Sequence, residues 1–277
     1  MMASWDLAFL RTTGGRPANI SPTRSWRIKQ AFETLRTRMY TLCLLLLILS
    51  MLFLFWDLGV PARALYIFLH PHVTVLTFGA VSLMAEAAVG GLLALGSVFG
   101  VRARYRRIRQ ILNIACCLIS LAVMAYTGVF LISNVGIAFW STWTIVPLFV
   151  FSSLSCGVSL MLLINYFTDD HAVSVRTTRL FQKMHLVFLV GEAVSLALFM
   201  RAAFLNPVAA NACKMVLSPD ILPTAIIGVI GFGLVIPAVS EAIALLRRKG
   251  TDLPIADAFC LCGGFLLRFC IISCGVY

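Results

Sequence analysis

Charge is the first thing this sequence has little of. Only 12% of its 277 residues are charged, while 61% are hydrophobic and the mean hydropathy is +0.97. A soluble domain carries about 25% charged residues, and half that share cannot solvate a soluble surface of this size. Acidic residues are scarcer still, with 11 Asp and Glu against 22 Lys and Arg, for a net charge of +11. Strict apolar–polar alternation is missing as well: TLCLLLLILSMLFLF does not alternate, which argues against a β-barrel. Four histidines are present, and only His185 falls inside a predicted span. A membrane haem held by two facing histidines is therefore not expected. No lysine lies well inside a span, as a retinal Schiff base would require. The nine cysteines form neither a CxxCH haem-attachment site nor an iron–sulfur or zinc spacing. Cys116-Cys117, Cys260-x-Cys262 and Cys270-xxx-Cys274 sit within apolar runs, where thiols behave as small hydrophobes. No haem, iron–sulfur cluster or metal is expected in this chain.

What is present is a series of long apolar runs, the mark of transmembrane helices. The predicted fold is all-α, a polytopic transmembrane bundle of about seven helices. The spans are read as 39–58, 73–99, 110–133, 142–166, 182–203, 222–246 and 256–276. Residues 1–38 form a basic tail ahead of a transmembrane domain over 39–277. Lys and Arg divide sharply between the two sides. The tail holds seven, and the loops after spans two, four and six hold five, three and three, counting Lys183 at the very start of span five with its loop. The opposite side has Arg63, Arg201 and Lys214, and Arg268 lies within the last span. This excess places the N-terminus in the cytoplasm and the C-terminus outside. Basic charge in such loops faces an acidic lipid surface and does not imply nucleic acid. The tail lacks the small-residue cleavage site of a secretory signal. Within WRIKQAFETLRTR (26–38), Trp26, Ile28, Phe32 and Leu35 fall roughly on one helical face. That pattern fits a basic interfacial helix and equally a solvated basic flank.

Ionisable residues in the hydrocarbon layer are costly and so are functional candidates. Orientation and span position together assign their depth. Asp57 lies near the outer end of span one. His70 and His72, in FLHPH, precede span two. Tyr126 lies in the outer half of span three, Trp140 and Trp143 begin span four at the outer face, and Arg268 lies in the outer half of span seven. Glu86 and Glu192 lie near mid-depth, and Glu241 lies toward the cytoplasm. An acid, two histidines, a phenol and a guanidinium thus share one level near the outer face. A quinone head presents two carbonyl oxygens that need donors, which Tyr, His and Arg supply. Oxidising a quinol releases two protons, which His or Asp can accept. Each residue also has a structural reading. Asp57 and Arg268 can neutralise each other, and the aromatics can belong to the interfacial belt. The histidines can be solvated loop residues, and Glu86 and Glu192 can be protonated and hydrogen-bonded between helices. Gly263-Gly264 would allow close approach of a neighbouring backbone. Pro237 after Gly233 predicts a kink in span six.

Five ordered segments resemble the NrfD-type membrane subunits of polysulfide reductase and related complexes: WDLGVPARA (56–64), AYTGVFLISNVGIAFWSTWTIVPLFVFSSLSCGVSLM (125–161), LVGEAVSLAL (189–198), IGFGLVIPAV (230–239) and LCGGFLLRFCIISCGV (261–276). The resemblance implies a membrane anchor that reacts with quinone in a bacterial cytoplasmic membrane. It would exchange electrons between menaquinone or ubiquinone and an iron–sulfur, ferredoxin-like partner at the outer face. That partner would serve a catalytic subunit, often a molybdenum enzyme, in anaerobic respiration. Asp57, Tyr126 and Arg268 are the residues carried over as catalytic. His70, His72 and Trp140 join them as quinone-binding, and Glu86, Glu192 and Glu241 as a proton path. The family has eight helices where seven are counted here, the first being the one unmatched. His185 stands where the family often has an acid, seven residues before Glu192. The rival readings are a structural anchor without quinone turnover, and a transporter.

Overall fold

The structure, a computed structural model, describes residues 22–57, 74–99, 106–134, 136–167, 175–206, 222–246 and 254–275. The described residues are helical almost throughout. The helices are α1 (Pro22–Asp57), α2 (Val75–Val98), α3 (Arg106–Ser133), α4 (Ile145–Tyr166), α5 (Val175–Leu205), a π-helix, π1 (Thr224–Val235), α6 (Ile236–Leu246) and α7 (Pro254–Gly275). A 3-10 turn, Ala138–Trp140, precedes α4. Six segments are long and apolar enough to cross a membrane: Val75–Ser97, Arg107–Ser133, Ile145–Tyr166, Thr178–Leu205, Thr224–Leu246 and Pro254–Cys274. A shorter apolar helical stretch, Thr37–Phe53, lies within α1. This is the polytopic helical bundle of about seven helices that the apolar runs predict.

Local chemistry explains several boundaries. Proline opens both α1 and α7, where the missing N–H costs nothing because first-turn donors have no helical acceptor. Thr74 caps α2 by accepting the Thr77 N–H at 3.2 Å, which satisfies one of those donors. Two helices extend well past their apolar runs. Residues 26–38 are helical, but as the opening turns of α1 itself. Helix α5 starts at Val175, seven residues before the predicted span, so Arg176 and Arg179 are helical residues and not loop residues. Straight-chain basic side chains have good helix propensity, and they can lead a helix out of the apolar layer. In span six, where a proline kink was expected, the structure shows a change of helical register. Residues 224–235 are wound as a π-helix, with the Ile236 N–H donating to the Gly231 carbonyl, before α-helix resumes. Pro237, which cannot donate to the helix, lies one residue beyond that register change.

The chain divides into two compact units, Met1–Tyr126 and Thr127–Tyr277. In the first, α1 packs on α2. A small core of Tyr40, Leu93 and Ala94 is flanked by Leu44, Val89, Leu112 and Cys116. The Tyr40 hydroxyl donates to Asn113 Oδ1 at 3.1 Å. In the second unit α7 is central and packs against π1, α4 and α6, while α5 packs against α4 and α6. Its core includes Phe139, Ile145, Leu148, Phe199 and Leu267. The Phe139 ring stands edge-on to Phe199 at 5.2 Å and 77°. Between helices in lipid, association rests on close packing and small residues more than on water exclusion. Gly233 of π1 and Gly263 of α7 meet backbone to backbone, and a Cβ on Gly263 would overlap Gly233 Cα.

Candidate functional site

Three helices of the second unit each carry polar residues along a single face. On α4 these are Ser152, Ser155 and Ser159; on α5, Gln182, His185, Glu192 and Ser195; on α7, Asp257, Cys260, Gly264 and Arg268. Spacings of three, four and seven keep such residues on one side of a helix. Because α4 packs against both α5 and α7, the three faces converge. Every one of these side chains except Arg268 is buried; His185, Ser152 and Ser159 are wholly so.

Arg268 marks one end of the line. Its Nη2 donates to Ser153 Oγ at 2.7 Å, and its Nη1 donates to the Gly264 carbonyl at 2.8 Å and toward Ser152 Oγ at 3.5 Å. The guanidinium also lies 5.6 Å from the centre of the Phe149 ring. Hydroxyls and a carbonyl orient this cation, and no carboxylate forms an ion pair with it among the described residues. Glu192 comes next. Ser155 Oγ donates to its Oε2 at 2.8 Å, and Ser152 is a second hydroxyl neighbour. One turn further along α4, about 6 Å, Ser159 Oγ lies 3.0 Å from His185 Nε2. The other ring nitrogen, Nδ1, lies 3.1 Å from Glu241 Oε1. Cys260 Sγ lies 3.6 Å from His185 Nε2, and Cys156 Sγ lies 3.8 Å from the Cys260 carbonyl oxygen. Asp257 completes the far end, its carboxylate within 4.8 Å of the His185 and Glu241 ligand atoms.

Of the residues predicted from sequence, Glu192, Glu241 and Arg268 thus join one polar line. Glu86 belongs to the first unit, where it accepts from Ser120 Oγ at 2.5 Å. Tyr126 is also in the first unit and is half-buried, with its ring lying directly over Gly79, where a Cβ would overlap it. Trp140 is buried in the second unit, and its indole N–H donates to the Ile271 carbonyl at 3.0 Å. Trp143 is exposed. Asp57 ends α1, while its side chain, like all of His70 and His72, lies outside the described residues. Sequence reasoning did not identify the serines, nor the pairing of His185 with Glu241, nor Asp257. The serines did carry a signal: 152, 155 and 159 form a polar stripe on an otherwise apolar helix. The His185–Glu241 pair carried none, since its members are 56 residues apart.

Beside this line lies an apolar cavity of ≈ 300 Å³ between α5, π1 and α7. Phe199, Met200, Ile226, Val229, Leu267 and Cys270 are among its lining residues.

The family model for polysulphide reductase, NrfD, matches residues 18–277 of the chain. No curated protein matches it, and neither does any solved structure.

Proposed function

The chain belongs to the NrfD polysulphide reductase family, whose members are membrane-anchor subunits of polysulphide reductase-like complexes, and on that premise we propose that it exchanges electrons between membrane quinol and an extrinsic iron–sulfur subunit. The iron–sulfur partner would dock at the outer face and pass electrons to or from a catalytic subunit. The observation that carries this reading is the state of Arg268. A guanidinium inside an apolar span is expensive, and here serine hydroxyls and a backbone carbonyl hold it. Its charge remains available to stabilise negative charge developing on a quinone oxygen, the kind of preorganised electrostatics that lowers a barrier. Tyr126 is assigned as the phenol that hydrogen-bonds a quinone oxygen, in a position set by the bare backbone of Gly79. Asp57, His70 and His72 are assigned to accept the protons, and Trp140 to frame the head group. The apolar cavity near Arg268 on α7 suits isoprenoid units of a menaquinone or ubiquinone tail.

For protons, Glu192, Ser159, His185 and Glu241 supply a graded route through the second unit. Each is a group that can both accept and donate when suitably protonated. Ser155 and Ser159 stand one turn apart on α4, a gap that one bridging water could span. Glu86 is assigned to the same task within the first unit, with Ser120 as its partner.

The test is a titration of the purified chain in detergent with a fluorescent quinone-analogue inhibitor, alongside Tyr126→Phe and Arg268→Ala. Saturable quenching is expected, weakened at least tenfold in each variant. Absence of saturable binding in folded protein would instead make the chain a structural anchor. In an assembled complex, unchanged quinol oxidation after both substitutions would remove the assigned roles.

A further inference from the structure

Where His185, Glu241 and Asp257 meet, three helices converge. His185 is on α5, Glu241 on α6 and Asp257 in the first turn of α7. All three are buried, at 0%, 5% and 4% exposure, and their ligand atoms lie within 4.8 Å of one another. We propose that this cluster is a binding site for a divalent transition-metal ion of the zinc type, held by His185 Nδ1 and the carboxylates of Glu241 and Asp257.

Three features of the cluster support the site. The first is spacing. Ligands at about 2.0–2.2 Å from a tetrahedral zinc ion stand about 3.3 Å from each other, and His185 Nδ1 lies 3.1 Å from Glu241 Oε1. The second is the outer partner. A ligating histidine usually donates its other ring N–H to a neighbour, which fixes the tautomer and orients the ring. Ser159 Oγ stands 3.0 Å from Nε2 in that role. The third is an unsatisfied oxygen. Glu241 Oε2 is buried without a hydrogen-bond partner among the described residues, and a buried carboxylate oxygen left unpaired is costly.

The imidazole selects the class of ion. Magnesium and calcium prefer oxygen ligands throughout, whereas nitrogen with carboxylate suits zinc and its neighbours. Access is short, since Asp257 lies about 4.5 Å along α7 from its start and Glu241 about 7.5 Å from the end of α6. In the sequence, α6 is followed directly by the basic run Arg247–Arg248–Lys249. No local motif announces such a site, because each ligand comes from a different helix. The binding itself does not depend on quinone chemistry. One consequence does rest on the proton route proposed above: a bound ion would withdraw His185 and Glu241 from proton exchange.

The test uses the full, untagged chain in detergent, stripped with a chelator and titrated with Zn²⁺ in competition with a fluorescent chelator. Co²⁺ serves as a spectroscopic stand-in. The expected result is one zinc per chain, unaffected by excess Mg²⁺. Asp257→Asn and Glu241→Gln should each weaken binding at least tenfold, and Ser159→Ala by about tenfold, the effect usual for an outer partner. Zinc should raise the unfolding midpoint of the original chain by more than that of Asp257→Asn at the same concentration. If His185→Gln fails to fold, Asp257→Asn and Ser159→Ala still decide the matter. No saturable zinc in folded protein, or original affinity in the carboxylate variants, would overturn the site and leave a hydrogen-bonded cluster.

Discussion

The two units of this chain solve the same problem of living in lipid with different economies of packing. In the first, the spanning helices bury little of themselves: 17% of the most apolar stretch of α2 and 6% of that of α3, whose last turns belong to the second unit. Phe78, Ile111 and Leu118 are among the large side chains they turn outward. In the second, α4 and α7 each bury 44%. The polar residues follow the packing. Those of the first unit pair off locally, as Glu86 does with Ser120 and Tyr40 with Asn113. Those of the second form a line from Arg268 to Asp257. Exposed apolar surface costs little in a bilayer, so loose packing is tolerable there. Ionisable groups are not tolerable unless other helices enclose and satisfy them. The unit able to host a line of charge is therefore the one whose helices approach closely, and glycines such as Gly233 and Gly263 allow that approach.

Substitutions in matched pairs, one in each unit, would break or sharpen this contrast. The largest effect is expected from His185→Leu, which strips Glu241 of its partner and removes that of Ser159. Breaking a buried pair costs about 3–5 kcal/mol. Glu86→Gln, at a half-buried position with one hydroxyl neighbour, should cost under about 1.5 kcal/mol. Unfolding in mixed micelles measures both, and equal losses would mean that the two units hold their acids alike.

A smaller difference should separate two glycines. Gly263→Ala forces a methyl group into the Gly233 backbone, and overpacking of this kind costs about 1–3 kcal/mol. Gly90, on α2, has nothing within 4 Å of an added Cβ. Gly90→Ala should be neutral or stabilising by up to about 1 kcal/mol, the gain in helix propensity. Thermal denaturation of the two variants side by side tests this, and a destabilised Gly90→Ala would show that the first unit packs more tightly than its burial indicates.

The smallest contrast concerns the serines. Ser155→Ala leaves the buried Glu192 short of a donor and should cost about 1–3 kcal/mol, whereas Ser120→Ala at Glu86 should cost about 0.5–1.5 kcal/mol. Hydrogen exchange along α5 and α2 would read the two locally. If protection around Glu192 survived Ser155→Ala unchanged, the hydroxyl would not be holding that carboxylate.

Much of this protein was written in one dimension. The membrane setting, the number of helices and their approximate extents follow from the lengths of the apolar runs, because a bilayer sets the length of what crosses it. The family was legible from ordered short segments, and Glu192, Glu241 and Arg268 stood out because ionisable residues are rare in apolar helices. The exact helix starts were not legible, since Val175–Phe181 is polar enough to read as loop and yet winds as helix. Nor was the π-helical form of residues 224–235, which depends on the register of backbone hydrogen bonds and not on side-chain polarity. Tertiary structure alone decided which polar residues meet. Glu86 and Glu192 look alike in sequence, yet one pairs with a single serine and the other joins a line through a buried histidine. His185, Glu241 and Asp257 stand on three helices, and only the way those helices pack brings their side chains within reach of one ion. Periodicity reveals which residues share a face of one helix; it cannot reveal which other face that one will meet.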